Sequence, residues 1–221
     1  MKGLFITFEG TEGSGKTTQA ILLAERLLNM GQTVRLIREP GGTPIGEEIR
    51  HTLKHSLAND AMTAETELLL MNASRAQLVR EVIRPGLERG EVIVCDRFYD
   101  STTAYQGYGR QLDLKIVKTI IDFAVGQTRP DLTLLLRVTA ATSQERLRSR
   151  QSTLPFVRDR IEEADFAFFQ RVVRGYEEIA RAEPDRVRCV NANGSVEQVQ
   201  TTIWQIVQPL ISRRQAQAVQ A

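Results

Sequence analysis

An apolar run, Leu4-Phe5-Ile6-Thr7-Phe8, leads into Gly10-Thr11-Glu12-Gly13-Ser14-Gly15-Lys16-Thr17, and a helical pattern with Ile21, Leu22, Leu23, Leu27 and Leu28 on a broad apolar face then continues to Met30. The middle segment fits G-x-x-x-x-G-K-[ST] at every fixed position, and it lies between a strand and a helix as the mechanism of that motif requires. Glycines let successive backbone N–H groups turn toward phosphate oxygens, and the helix start adds a positive dipole end. Lys16 is then placed to reach terminal phosphates, and Thr17 to hold Mg²⁺. A glycine-rich turn without function would need strand, glycines, lysine, hydroxyl and helix to coincide by chance.

The rest of the chain alternates strands with helices. Val34-Arg35-Leu36-Ile37 predicts a second strand, ended by Pro40-Gly41-Gly42, with a helix over 45–53. Residues 65–87 predict one long helical stretch broken near Pro85. Val92-Ile93-Val94-Cys95 predicts a third strand that stops at Asp96-Arg97. Next come a helix over 114–125, a strand over 132–138, a charged helical region over 143–150 and a break around Pro155. A helix over 162–182, a strand over 187–190 and a helix over 196–211 follow, and the tail 212–221 is expected to fray. Short strands that are apolar on both faces and alternate with helices make a parallel sheet covered on both sides. The expected fold class is α/β, a three-layer P-loop NTPase fold with a five-stranded parallel sheet flanked by helices. No linker, repeat or low-complexity segment divides residues 1–221, so a single domain is expected. Its ligands should bind beyond the carboxyl ends of the strands.

Composition removes several classes. A chain of 221 residues with 42% hydrophobic and 25% charged residues is neither fibrous nor disordered. No apolar run approaches the ~18 residues of a membrane span, and the first residues lead directly into a strand pattern, so a cytoplasmic protein is expected. The two cysteines, Cys95 and Cys189, sit among β-branched residues and are expected to be buried reduced thiols. A net charge of +2 gives no field for a nucleic-acid polymer or a membrane. Only five of the 29 basic residues are lysine; the other 24 are arginine. Arginine's planar fork matches phosphate oxygens, which suits a small phosphorylated ligand, although arginines on solvated helix faces would give the same count.

Nucleotide binding alone does not distinguish a kinase from a switch or a mechanical ATPase. The chain has no Asn-Lys-x-Asp for guanine, and its third strand ends in Asp96-Arg97 rather than the Asp-Glu that activates water. An acid near Mg²⁺ beside an arginine, with no water activator, suits transfer to an acceptor that is already anionic. Such an acceptor needs charge neutralised along the line of transfer rather than a general base.

With Phe8-Glu9-Gly10-Thr11-Glu12-Gly13, Arg38-Glu39-Pro40-Gly41-Gly42-Thr43, Arg75-Ala76-Gln77, Asp96-Arg97-Phe98, Ala104-Tyr105-Gln106-Gly107, Arg129-Pro130-Asp131-Leu132 and Asp159-Arg160-Ile161-Glu162, the chain resembles the bacterial thymidylate kinase family from Leu4 to about Leu210. The resemblance implies transfer of the ATP γ-phosphate to dTMP, giving dTDP and ADP, by a cytoplasmic homodimer of dTTP synthesis that uses Mg²⁺. It implies ATP held by Gly10, Thr11, Glu12, Gly13, Ser14, Gly15, Lys16, Thr17 and Thr18, and metal by Thr17 and Asp96. It also implies Glu12 near the deoxyribose hydroxyl, Arg50 and Arg97 on the acceptor phosphate, Arg75, Thr102 and Gln106 at the thymine edge, and Tyr105 against the sugar. A lid over about 148–160 is implied to close on ATP and lend an arginine to the transition state, with Arg150 first and Arg148 second. Lys16 and Arg97 join that arginine as the catalytic set.

The chain departs from the family's pattern in three respects. Met71 and Asn72 stand where an aromatic residue usually stacks on thymine, Arg137 replaces an aspartate common at the end of the fourth strand, and the lid segment looks a few residues longer. Met71 can cover a base face with its polarizable thioether, or it can pack inward beside Leu68, Leu69 and Leu70. The rival functions are another nucleotide kinase of the same fold, separated by which acceptor consumes ATP, and a nucleotide-binding protein without turnover.

Overall fold

Every residue of β1 (Leu4–Glu9) is buried. Leu4, Ile6 and Phe8 face one side and Phe5 the other. A strand loses both faces to the interior only at the centre of a covered sheet. In the computed structural model, which describes residues 3–153 and 165–219 and, within them, all side chains but those of 57, 58, 150–153 and 217–219, β1 lies between β3 (Val92–Asp96) and β4 (Leu132–Arg137). The edges are β2 (Val34–Arg38) and β5 (Val187–Asn191), in the order β2-β3-β1-β4-β5, with every pair parallel. Register pairs Phe8 with Asp96 and Arg38 with Asp96, so the carboxyl ends of β1, β2 and β3 finish together.

Helices α1 (Lys16–Asn29) and α9 (Val196–Val219) cover one face, where Leu23 and Leu27 meet Ile203, Trp204 and Val207 over the even residues of β1. The other face carries α2 (Pro44–Lys54) packed on α3 (Ala64–Leu78), which continues through a π-helical turn (Val79–Ile83) into α4 (Arg84–Glu88). Next in the chain are α5 (Tyr99–Thr102), which runs into a π turn over Thr103–Gly109, and α6 (Leu114–Val125). Helix α7 (Ala140–Thr153) follows β4, and α8 (Phe166–Ala182) packs Phe168, Val172 and Tyr176 against Tyr105 and Leu135. The α/β class with its five-stranded parallel sheet is as expected from the sequence. Among the described residues no helix is long and apolar enough to cross a membrane.

The sequence reading misses at definite places. Pro85 does not break the helical stretch, because the π turn ahead of it lets Pro85 enter in the first turn of α4, where a missing N–H costs nothing. Residues 99–109 carry glycines, Ser101 and two threonines, which hide the helix that tertiary packing imposes. The tail does not fray at 212. Helix α9 runs to Val219, and Arg214 ties it to Gln32 Oε1 at 3.0 Å and to the Gly90 carbonyl. Cys95 is buried in β3, but Cys189 is exposed because β5 is an edge strand. Of the expected lid, residues 148–153 belong to α7, and 154–160 lie outside the described residues, as does the start of the 162–182 helix before 165.

Candidate active site

The aligned strand ends open into a cleft of about 580 Å³. The glycine loop after β1 forms one end. The other end is built by Arg38 at the end of β2, Glu39 and Pro40 after it, Arg97 after β3, Met71 and Arg75 of α3, and Thr102, Tyr105 and Gln106 of α5 and its π turn.

The loop end is made chiefly of backbone. Gly10 has φ +136°, and a Cβ there would lie 2.4 Å from the Leu136 carbonyl oxygen, so only glycine lets the loop leave β1 this close to β4. Lys16 curls back over the loop, donating to the Thr11 carbonyl at 2.8 Å and to Ser14 Oγ at 3.4 Å. Burial, together with the nearby Arg97 charge, brings its ammonium down to about 8. Thr17 Oγ1 donates to Asp96 Oδ2 at 2.5 Å, joining the start of α1 to the end of β3. Thr18 also lines the cleft. Arg146 of α7 closes this end, donating to the Gly13 carbonyl at 3.3 Å and to the Ala192 and Gly194 carbonyls at 2.9 and 3.3 Å.

The other end is made of arginines held by carboxylates. Arg97 has φ +71°, a strained backbone for a residue with a Cβ. Its Nη2 donates to Glu12 Oε1 at 2.7 Å and to Tyr105 OH at 3.2 Å, and Tyr105 OH donates to Glu12 Oε2 at 2.6 Å. Burial pushes the Glu12 carboxyl up, but Arg97, Lys16 and the Tyr105 hydroxyl outweigh it and hold the group below its ordinary value. Arg75 is only 2% exposed, and all three nitrogens of its guanidinium have partners. Nε and Nη2 reach Glu39 Oε2 at 2.8 and 2.7 Å, Nη1 reaches Asn72 Oδ1 at 3.0 Å and Thr102 Oγ1 at 2.9 Å, and Nη2 also reaches the Phe98 carbonyl at 3.2 Å. Burial pushes the Glu39 carboxyl up to about 7 against the pull of Arg75, and Glu39 Oε1 stays buried with no partner. Gln106 Nε2 donates to Glu67 Oε1 at 2.7 Å, and Arg110 donates to both oxygens of the same carboxylate. Arg50 Nη1 donates to the Pro40 carbonyl at 2.9 Å.

The cleft thus brings together Gly13, Gly15, Lys16, Thr17, Thr18, Asp96, Glu12, Arg50, Met71, Arg75, Arg97, Thr102, Tyr105 and Gln106. Met71 lines the cleft and packs against the Ala104–Tyr105 cluster, not the cluster that holds Leu68. Asn72 faces inward, donating to the Leu68 carbonyl at 2.8 Å. Arg148 is exposed and away from the cleft lining, and the Arg150 side chain lies outside the described residues. Arg137 points away as well, to Glu177 Oε1 at 3.0 Å. Sequence reasoning passed over Glu9, Arg38, Glu39, Arg146 and Tyr176 as site residues. Strict alternation along β1 signals Glu9, and the i, i+3, i+4 spacing of Thr102, Tyr105 and Gln106 signals a helical wall.

A glycine loop at the start of α1, an acid at the end of the adjacent parallel strand and a second, arginine-walled compartment define a P-loop nucleotide-binding α/β protein. The thymidylate kinase family matches residues 8–203. The chain is 47% identical to thymidylate kinase of Syntrophotalea carbinolica, covering 90% of this chain and 93% of that one, and 45% identical to thymidylate kinase of Desulforudis audaxviator, covering 97% and 94%. The crystal structure of thymidylate kinase from Ehrlichia chaffeensis superposes with a TM-score of 0.75 at 32% identity, over 94% of this chain and 99% of that one. This chain belongs to the thymidylate kinase family.

Proposed function

We propose that the protein transfers the γ-phosphate of ATP to dTMP, giving dTDP and ADP, a step of dTTP synthesis in the cytoplasm. The observation that carries this reading is one continuous cleft with a backbone phosphate cradle at one end and arginines at the other, in a chain of this family. The cradle and Lys16 hold the ATP phosphates. Arg97 and Arg50 take the acceptor phosphate, which is itself the nucleophile, so no general base is required. Glu12 and Tyr105 meet the deoxyribose, while Arg75, Thr102, Gln106 and Met71 surround the base. Arg150, or Arg148, supplies the further cation expected from the lid.

Mg²⁺ fits this site. Thr17 Oγ1 and Asp96 Oδ2 are hard oxygen donors 2.5 Å apart at the cleft, and Mg²⁺ is commonly held by one or two protein oxygens completed by substrate phosphates and water. The ion supplies neutralisation of phosphate charge. A homodimer is part of the same reading. Ile116 and Phe123, one heptad apart on α6, are 58% and 82% exposed, beside α3 with Leu69 at 56%, an apolar face suited to a second copy.

A coupled ADP-release assay with dTMP, dUMP, UMP, CMP, dGMP and AMP as acceptors tests the proposal. dTMP should give the highest turnover. Faster release with another acceptor, or none that depends on acceptor, would overturn it.

A further inference from the structure

Alternation along β1 turns Glu9 to the face shared by Phe5 and Thr7, where it is fully buried directly behind Arg97. Its carboxylate accepts from Phe98 N at 2.8 Å, Ser101 N at 3.3 Å, Ser101 Oγ at 2.6 Å and Tyr176 OH at 2.9 Å. Ser101 Oγ and Tyr176 OH also lie 3.0 Å apart, where either can donate to the other, so their hydrogens are shared between Glu9 and each other. A guanidinium can only donate, so both hydroxyl oxygens accept from Arg97 Nη1, at 3.0 and 3.2 Å. The opposite nitrogen, Nη2, faces Glu12 and Tyr105 in the cleft; Ser101 also lines the cleft, whereas Glu9 and Tyr176 lie behind it.

We propose that Tyr176 is a positioning residue for Arg97: its hydroxyl, together with Ser101 and anchored on Glu9, grips the inner edge of the guanidinium so that the outer edge is aimed at the acceptor. The inference rests on the reading of Arg97 as the acceptor-phosphate ligand. Close packing keeps the anchor fixed. A Cβ on Gly175 would lie 2.9 Å from the Tyr108 ring, so α8 approaches the π turn as near as a glycine allows. Arg97 N donates to the Phe8 carbonyl at 2.9 Å and Phe98 N to Glu9, which pins the strained backbone on both sides of the Arg97 Cα.

Tyr176→Phe deletes the hydroxyl and keeps the ring among Phe168 and Val172. It should lower kcat/KM for dTMP about tenfold while KM for ATP moves less than about twofold. In an Arg97→Lys background the same change should cost less than about a further twofold, because the group it positions is gone. Ser101→Ala should show the same split between substrates. The cycle is also read in the dTMP dissociation constant, which needs no turnover. Equal losses in both backgrounds, or a rise in KM for ATP matching the loss for dTMP, would make Tyr176 merely structural and overturn the proposal. Parent protein that fails to phosphorylate dTMP would sink the functional reading, whereas additive losses in an active enzyme sink this inference alone.

Discussion

The two ends of the cleft bind phosphate groups by opposite means. The glycine loop is a local object, contiguous in sequence, whose recognition groups are backbone amides fixed by the turn from β1 into α1. The acceptor end is assembled from side chains of α2, α3, α5 with its π turn, and the residues that follow β2 and β3, and its arginines are already paired with carboxylates from other elements, the half-buried Arg97 with Glu12 and the buried Arg75 with Glu39. One end is therefore a preformed cradle. The other is a set of charges held in place by partners, some of which a ligand must displace or share. Changes in the cradle should strike chemistry with little effect on stability, while changes at the acceptor end should strike both.

Lys16→Ala gives the sharpest test. Removing the ammonium should lower kcat by about a thousandfold, as for loss of a preorganised charge at the reacting centre. The melting temperature should stay near that of the parent, because among the described residues the ammonium's hydrogen-bond partners are the Thr11 carbonyl and Ser14 Oγ within its own loop. A parallel collapse of stability would break the distinction between the two ends.

Arg75→Ala should behave in the opposite way. It leaves Glu39 buried without its ion partner and should cost about 3 kcal/mol in chemical denaturation. Because the folded-state pKa of Glu39 is raised to about 7, its favourable contribution belongs to the protonated form and is lost as pH rises through that value. The penalty of Arg75→Ala should therefore be smaller below about pH 7 than above it. A pH-independent penalty would show that Glu39 is not the group left stranded.

Met71 probes the join between packing and binding. Met71→Ala should weaken dTMP binding by up to about tenfold, or ~1.4 kcal/mol, and also lower the melting temperature, because the side chain both lines the cleft and packs beside Tyr105. Met71→Phe should tighten binding within the same range, since stacking a base on an aromatic ring is worth ~1–3 kcal/mol. Unchanged dissociation constants in both variants would retire its role at the base.

The smallest effect is a pH profile. The Lys16 ammonium, lowered to about 8 by burial and Arg97, must be charged to meet phosphate, so kcat/KM for ATP should fall to about half its low-pH plateau near pH 8. A profile flat through that region would place the working pKa of Lys16 nearer its ordinary value.

Much of this contrast was legible in the sequence. The loop, the strand before it and the helix after it were read from contiguous residues, as was Asp96 at the end of β3. The acceptor residues were reached through resemblance to a family, residue by residue, and the helix that carries Thr102, Tyr105 and Gln106 was not read at all. Its glycines and hydroxyl residues have weak local preference for helix, and contact with α8 settles its shape.

What the sequence by itself determined is the parallel α/β frame and the phosphate cradle, because hydrophobic period and glycine spacing act over neighbouring residues and encode backbone geometry directly. Tertiary structure alone decided which arginine meets which carboxylate. Glu39 finds Arg75 across 36 positions, and Tyr176 finds Glu9 across 167. A buried charge must be paired wherever the packing of separate elements brings a partner within reach, and no local pattern records that meeting.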